Sequence, residues 1–112
     1  ATSHFNPSIK HYGVDVVPTT TNASVSATFD GVVIHSAWTS DEGHVLYIQH
    51  QGDLVSVYKH NSALLKKTGE NVKAGDVIAI VGNSGELSSG PHLHFELWYK
   101  GTPMNPEEYL LF

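Results

Sequence analysis

Along this chain, short apolar and aromatic runs alternate with glycine-marked polar turns roughly every ten residues, the spacing of an all-β domain. The runs predict strands over residues 14–17, 24–29, 31–38, 44–50, 54–60, 77–81 and 92–99. Polar residues 39–43 separate the third strand from the fourth, and Gln51-Gly52-Asp53 is short enough to close an antiparallel hairpin. One helix start is legible. Asn105 can cap it, Pro106 suits the first helical position, and Glu107 and Glu108 suit the positive end of the helix dipole. The expectation is a compact antiparallel β-sheet or sandwich, one domain over residues 1–112, with a groove lined by loops and at most one short C-terminal helix.

Composition narrows the chemistry. The chain has 112 residues, no cysteine, six basic residues that are all lysine, eleven acidic residues and a formal charge of −5. That length supports a single core that buries roughly 65% of the unfolded surface. Without cysteine there is no disulfide, thiolate ligand or thiol nucleophile. Without arginine, and with net negative charge, the chain lacks the footprint of a nucleic-acid binder. No stretch approaches the ~20 apolar residues of a membrane span, and no basic-plus-apolar leader opens it. The start at Ala1 reads as a mature or trimmed form. Eight histidines outnumber the lysines, which points to nitrogen/oxygen metal ligation or to proton transfer.

The strand at 92–99 is the most informative. Alternation puts Leu93, Phe95, Leu97 and Tyr99 on one face, and His92, His94 and Glu96 on the other. The Cα atoms of the two histidines stand about 6.6 Å apart, so one ring can hold a metal while its neighbour reaches a group bound to it. Alone, the pair reads equally well as a solvent-facing strip on an edge strand. His11 and Asp15 flank Gly13 where an apolar strand begins, and an ionised carboxylate between Val14 and Val16 needs a cation or hydrogen bonds. A surface turn with a capping aspartate has the same spacing. His60 ends the strand at 54–60, where it could equally be a surface residue. Two histidines and a carboxylate leave a fourth zinc position open, the catalytic arrangement, and zinc then supplies Lewis acidity suited to peptide hydrolysis. A His-Glu-x-x-His helix is absent, so leftover histidines would have to move the protons.

Together, His11-x-x-x-Asp15, Tyr58-x-His60, Val72-x-x-Gly75-x-x-Ile78 and Ser89-Gly90-Pro91-His92-Leu93-His94-Phe95-Glu96 resemble the lysostaphin-type (LytM-type) zinc metallopeptidases, which cut the peptide part of bacterial peptidoglycan. The resemblance implies one Zn²⁺ held by His11, Asp15 and His94, with His60 and His92 as the catalytic, non-ligating histidines. Glu96 reads either as support for a metal-bound ring or as an exposed strand residue. The remaining histidines, His4, His35, His44 and His50, read as packing or rim positions.

Loops at 37–43, 61–71 and 83–90 could wall a groove for an extended peptide. The implied function is a zinc endopeptidase of peptidoglycan stem peptides or cross-bridges, monomeric, in the bacterial cell envelope or secreted. The alternative is an inactive member of the same fold that serves as a binding or activating module. Such a module is expected to lack ligands, whereas here all five positions are filled. Nothing in the sequence selects which peptidoglycan bond is cut.

Overall fold

Period-two alternation along residues 93–99 buries Phe95 and Leu97, and the sheet is assembled around that strand. The computed structural model describes residues 13–16, 23–82 and 93–106, with 14–16 as backbone. Nine strands form one curled antiparallel sheet: β1 (Gly13–Val16), β2 (Ser24–Ser26), β3 (Gly31–Thr39), β4 (Gly43–Gln49), β5 (Leu54–Leu64), β6 (Asn71–Val72), β7 (Val77–Val81), β8 (Leu93–Tyr99) and β9 (Thr102–Met104). The order is β1-β8-β5-β4-β3-β6, with β7 bridging β5 to β2 and β9 along β8. The all-β expectation is thus met. β8 is no edge strand, because β1 and β5 flank it. Its apolar face joins Tyr58, Leu46, Ile48 and Ile78 in the core, where the Tyr58 and Phe95 rings lie 5.3 Å apart.

The main departure from the predicted elements lies in β5. The strand is expected to end at His60 with a loop from Asn61, yet it continues to Leu64. It pairs with β8 as far as Lys59↔His94, then with β7 from Asn61↔Val81. Between these partners β5 carries an extra residue, since Tyr58 and Asn61 oppose Leu46 and His44 of β4. His60 sits in this bulge at φ 66°, a left-handed conformation uncommon outside glycine. Its N–H donates to the Glu42 carbonyl at 2.8 Å, and its carbonyl accepts from Gly82 N–H at 3.2 Å. Buried Asn61 pins the bend, with Nδ2 donating to the carbonyls of His44 (3.0 Å) and Tyr58 (3.1 Å).

Smaller departures have local causes. β2 stops at Ser26, short of the predicted 29, where the chain bends and the Asp30 carboxylate accepts Ala74 N–H at 2.8 Å. β6 and β9 are too short to show a periodic signal. Of the predicted walls, 37–39 and 61–64 are strand, which leaves Ser40-Asp41-Glu42 as the β3–β4 turn. The loop at 83–90 and most of the helix at 105–108 lie outside the described residues, as do His4 and Val17. Gln51–Asp53 forms the tight connection as a 3₁₀ turn, with Gly52 at φ 73°. His35 is exposed beside Tyr47, whereas His50 takes the packing position of the two expected for it and is buried. Its Nδ1 donates to the Asp30 carbonyl (2.7 Å), and its Nε2 meets Ser56 Oγ (2.7 Å), which lies 2.8 Å from the Tyr58 hydroxyl. That polar chain satisfies groups the core would otherwise strand.

β1 approaches β8 so closely that only glycine fits at 13. A Cβ there would crowd the Phe95 carbonyl and stand 2.8 Å from Glu96 Cγ and 2.9 Å from His94 Nε2. Gly13→Ala is therefore expected to cost about 1–3 kcal/mol by overpacking. Asn61→Ala, which strips a donor from two carbonyls around the bulge, should cost about 1–3 kcal/mol. Urea denaturation measures both, and a wild-type midpoint would contradict the close-packing argument at Gly13 or the hydrogen-bond argument at Asn61.

Candidate metal and catalytic site

Sheet register decides which predicted residues meet. Asp15, His94 and Lys59 lie in one row across β1, β8 and β5, and Gly13, Glu96, Val57 and Tyr47 lie in the next row on the same face. The bulge adds His60 to that face. Its ring centroid is 6.1 Å from that of His94, at an interplanar angle of 77°. The structure thus brings His60 and His94 together and sets the Asp15 backbone opposite His94. His11 and His92 lie outside the described residues.

Glu96 is not an exposed strand residue: it is 7% exposed. Its Oε2 lies 2.8 Å from His94 Nε2 and 3.1 Å from Lys59 Nζ, while Oε1 accepts Trp98 Nε1–H at 2.8 Å. Burial alone would raise its carboxyl, but the His94 hydrogen bond, the Lys59 charge and the Trp98 hydrogen bond outweigh that and bring it down to about 2. Glu96 is therefore ionised at neutral pH and can only accept. His94 Nε2 must then be the donor, which puts the lone pair of a neutral ring on Nδ1.

Two residues of this face were not foreseen. Lys59 is mostly buried, with its ammonium between Glu96 Oε2 and Glu42 Oε2. Burial alone would lower its pKa, yet the two carboxylates hold it above the ordinary lysine value. A lysine in the run Leu54-Val55-Ser56-Val57-Tyr58-Lys59 carries the same signal that singled out Asp15, a charge among apolar strand positions. Glu42 carried no such signal, because its partner lies 17 residues away.

Among the described residues no group of three His, Cys, Asp or Glu could hold a metal ion; two of the three predicted ligands, His11 and the Asp15 side chain, are not described. The described part of the donor set fits zinc: an imidazole whose second nitrogen is held by a carboxylate, the usual support for a metal-bound histidine. A cleft of about 760 Å³ lined by Phe29, Asp30, His50 and Leu54 lies elsewhere, at the opposite end of the β5–β8 pairing from His60.

Comparison with known proteins gives the family. The chain is 37% identical over 113 residues to the peptidoglycan DD-endopeptidase ShyC of Vibrio cholerae, covering 93% of this chain and 26% of that protein. It is 37% identical over 99 residues to the murein hydrolase activator NlpD of Escherichia coli, covering 88% and 25%. The chain thus spans about a quarter of the length of these curated relatives. A zinc-containing peptidase from Vibrio cholerae superposes with a TM-score of 0.87 at 35% identity, over 99% of this chain and 36% of that one. The model of peptidase family M23 matches residues 9–106. By this match over most of its length, and by its identity to these relatives, the chain belongs to peptidase family M23.

Proposed function

We propose that this chain is a zinc-dependent endopeptidase domain that hydrolyses peptide bonds in peptidoglycan stem peptides or cross-bridges, in the bacterial cell envelope or outside the cell. The observation that carries the reading is the His60 ring, turned to within 6.1 Å of the His94 ring by a backbone conformation that few non-glycine residues adopt. Strain of this kind is retained where the surrounding structure holds it and a site uses it. His11, Asp15 and His94 would hold the zinc, His94 through Nδ1. When bound, zinc supplies Lewis acidity, which polarises a peptide carbonyl and acidifies water.

The chain's own residues supply the rest. Glu96 holds the His94 ring in one tautomer and orientation, and Trp98 and Lys59 keep that carboxylate ionised and fixed. The ring nitrogens of His60 and His92 share the proton transfers, receiving a proton from water and delivering one to the departing amide nitrogen. Among the described residues no helix is long and apolar enough to cross a membrane.

A second reading, that of an inactive binding or activating module, is favoured by the likeness to NlpD, described as a murein hydrolase activator. Against it stand the five filled positions, His11, Asp15, His60, His92 and His94.

Incubating the zinc-loaded chain with cross-linked muropeptides and identifying new termini by mass spectrometry separates the two readings. The enzyme reading expects new amino termini at one class of bond, and intact substrate throughout would favour the module. The histidine roles are separable as well. His94→Ala is expected to weaken zinc binding by more than about 100-fold, beyond the effect of losing a supporting group. His60→Ala should keep zinc and lose about 10²–10⁴ in turnover. Equal loss of metal in both variants would contradict this division of roles.

A further inference from the structure

An unbroken run of charged contacts connects the β3–β4 turn to the candidate metal-binding ring. The Glu42 carboxylate meets Lys59 Nζ, Lys59 Nζ lies 3.1 Å from Glu96 Oε2, and that same oxygen lies 2.8 Å from His94 Nε2. We propose that Glu42 and Lys59 are positioning residues for the His94 imidazole, so that the β3–β4 turn sets the direction of a ring two strands away from β4. The proposal rests on the reading of His94 as a zinc ligand.

Three observations support it. First, Glu96 Oε2 is shared between two donors, so its position is a compromise between Lys59 and His94. Without the ammonium, a buried carboxylate would be left with the ring and Trp98 alone, and it would re-aim to recover a partner or water. Second, a lysine stem has four rotatable bonds and does not hold a direction unaided. Glu42 anchors its far end, and the backbone that carries Glu42 is held in the turn, because its N–H donates to Thr39 Oγ1 at 2.9 Å. Third, the Glu42 carbonyl accepts the N–H of His60 at 2.8 Å. One turn residue thereby holds the backbone of one candidate histidine and, through two side chains, the ring of the other. Residue types alone do not show this, because the linkage needs the bulge that puts Lys59 and His60 on one face.

The test uses the whole chain with zinc as the probe. Affinity is measured by competition with a chromogenic chelator, and the tautomer of the His94 ring is read from its nitrogen-15 shifts in the zinc-free protein. Lys59→Met is expected to weaken zinc about tenfold, the lower range for a group that supports a ligand, and to turn a single Nε2–H tautomer into a mixture. Glu42→Gln, a neutral isostere at a partly exposed side chain, should weaken it about two- to fivefold in the same direction. Lys59→Arg, which keeps the cation, should restore most of the loss. His94→Ala should lose more than any of them. Unchanged affinity and ring shifts in Glu42→Gln and Lys59→Met, with zinc lost in His94→Ala, would overturn the positioning role and leave the ligand assignment standing. Wild-type affinity in His94→Ala would overturn the ligand assignment, and the proposal with it. If Lys59→Met does not fold, Glu42→Gln and Lys59→Arg decide the question, since neither leaves Glu96 without its cation.

Discussion

One extra residue in β5 organises the candidate site. In an unbroken strand, Lys59 and His60 would point to opposite faces, and His60 would enter the core beside Tyr58. The bulge instead lets two consecutive residues serve one face, and it passes β5 from β8 to β7 without ending the strand. A left-handed non-glycine residue costs of order 1–3 kcal/mol. That cost is offset by the bonds from His60 N–H to Glu42 and from Asn61 to two carbonyls. The geometry of the candidate site therefore depends on backbone hydrogen bonds as much as on side-chain identity.

The second constraint is electrostatic. A buried carboxylate beside an imidazole is unfavourable unless donors surround it, and Glu96 has three: His94, Lys59 and Trp98. Because all three converge on one group, the ring direction, the ionisation of Glu96 and the placement of Lys59 are interdependent. Gly13 completes the packing, since any side chain there would press on His94 and Glu96. The feature that first looked informative, a surplus of histidines, thus matters less than the groups that hold two of them in place.

Much of the fold was legible because apolar and polar residues alternate from Leu93 to Leu97 in the sequence of β8 and the β4–β5 hairpin is closed by a short polar turn at Gly52. That Asp15 and His94 belong to one site was implied by the family resemblance, and the β1–β8 register sets their backbones opposite one another. What sequence could not show was register. His60-Asn61-Ser62 looks like the end of a strand, and only cross-strand pairing with Val81 and Ile80 of β7 makes it strand interior. His50 was left between packing and rim, because a histidine among apolar neighbours gives no sign of whether buried partners await it, and here the Asp30 carbonyl and Ser56 do. Lys59 was open to discovery by the reasoning that singled out Asp15, whereas Glu42 needed the three-dimensional partner.

The claim on which the rest turns is that His94 meets zinc through Nδ1 while Glu96 keeps Nε2. A crystal structure of the zinc-loaded chain with anomalous scattering at the zinc edge tests it directly. The account predicts one anomalous peak about 2.0–2.1 Å from His94 Nδ1, with the Glu96 carboxylate still on Nε2. A peak remote from His94, or zinc on Nε2 with Glu96 displaced, would contradict it.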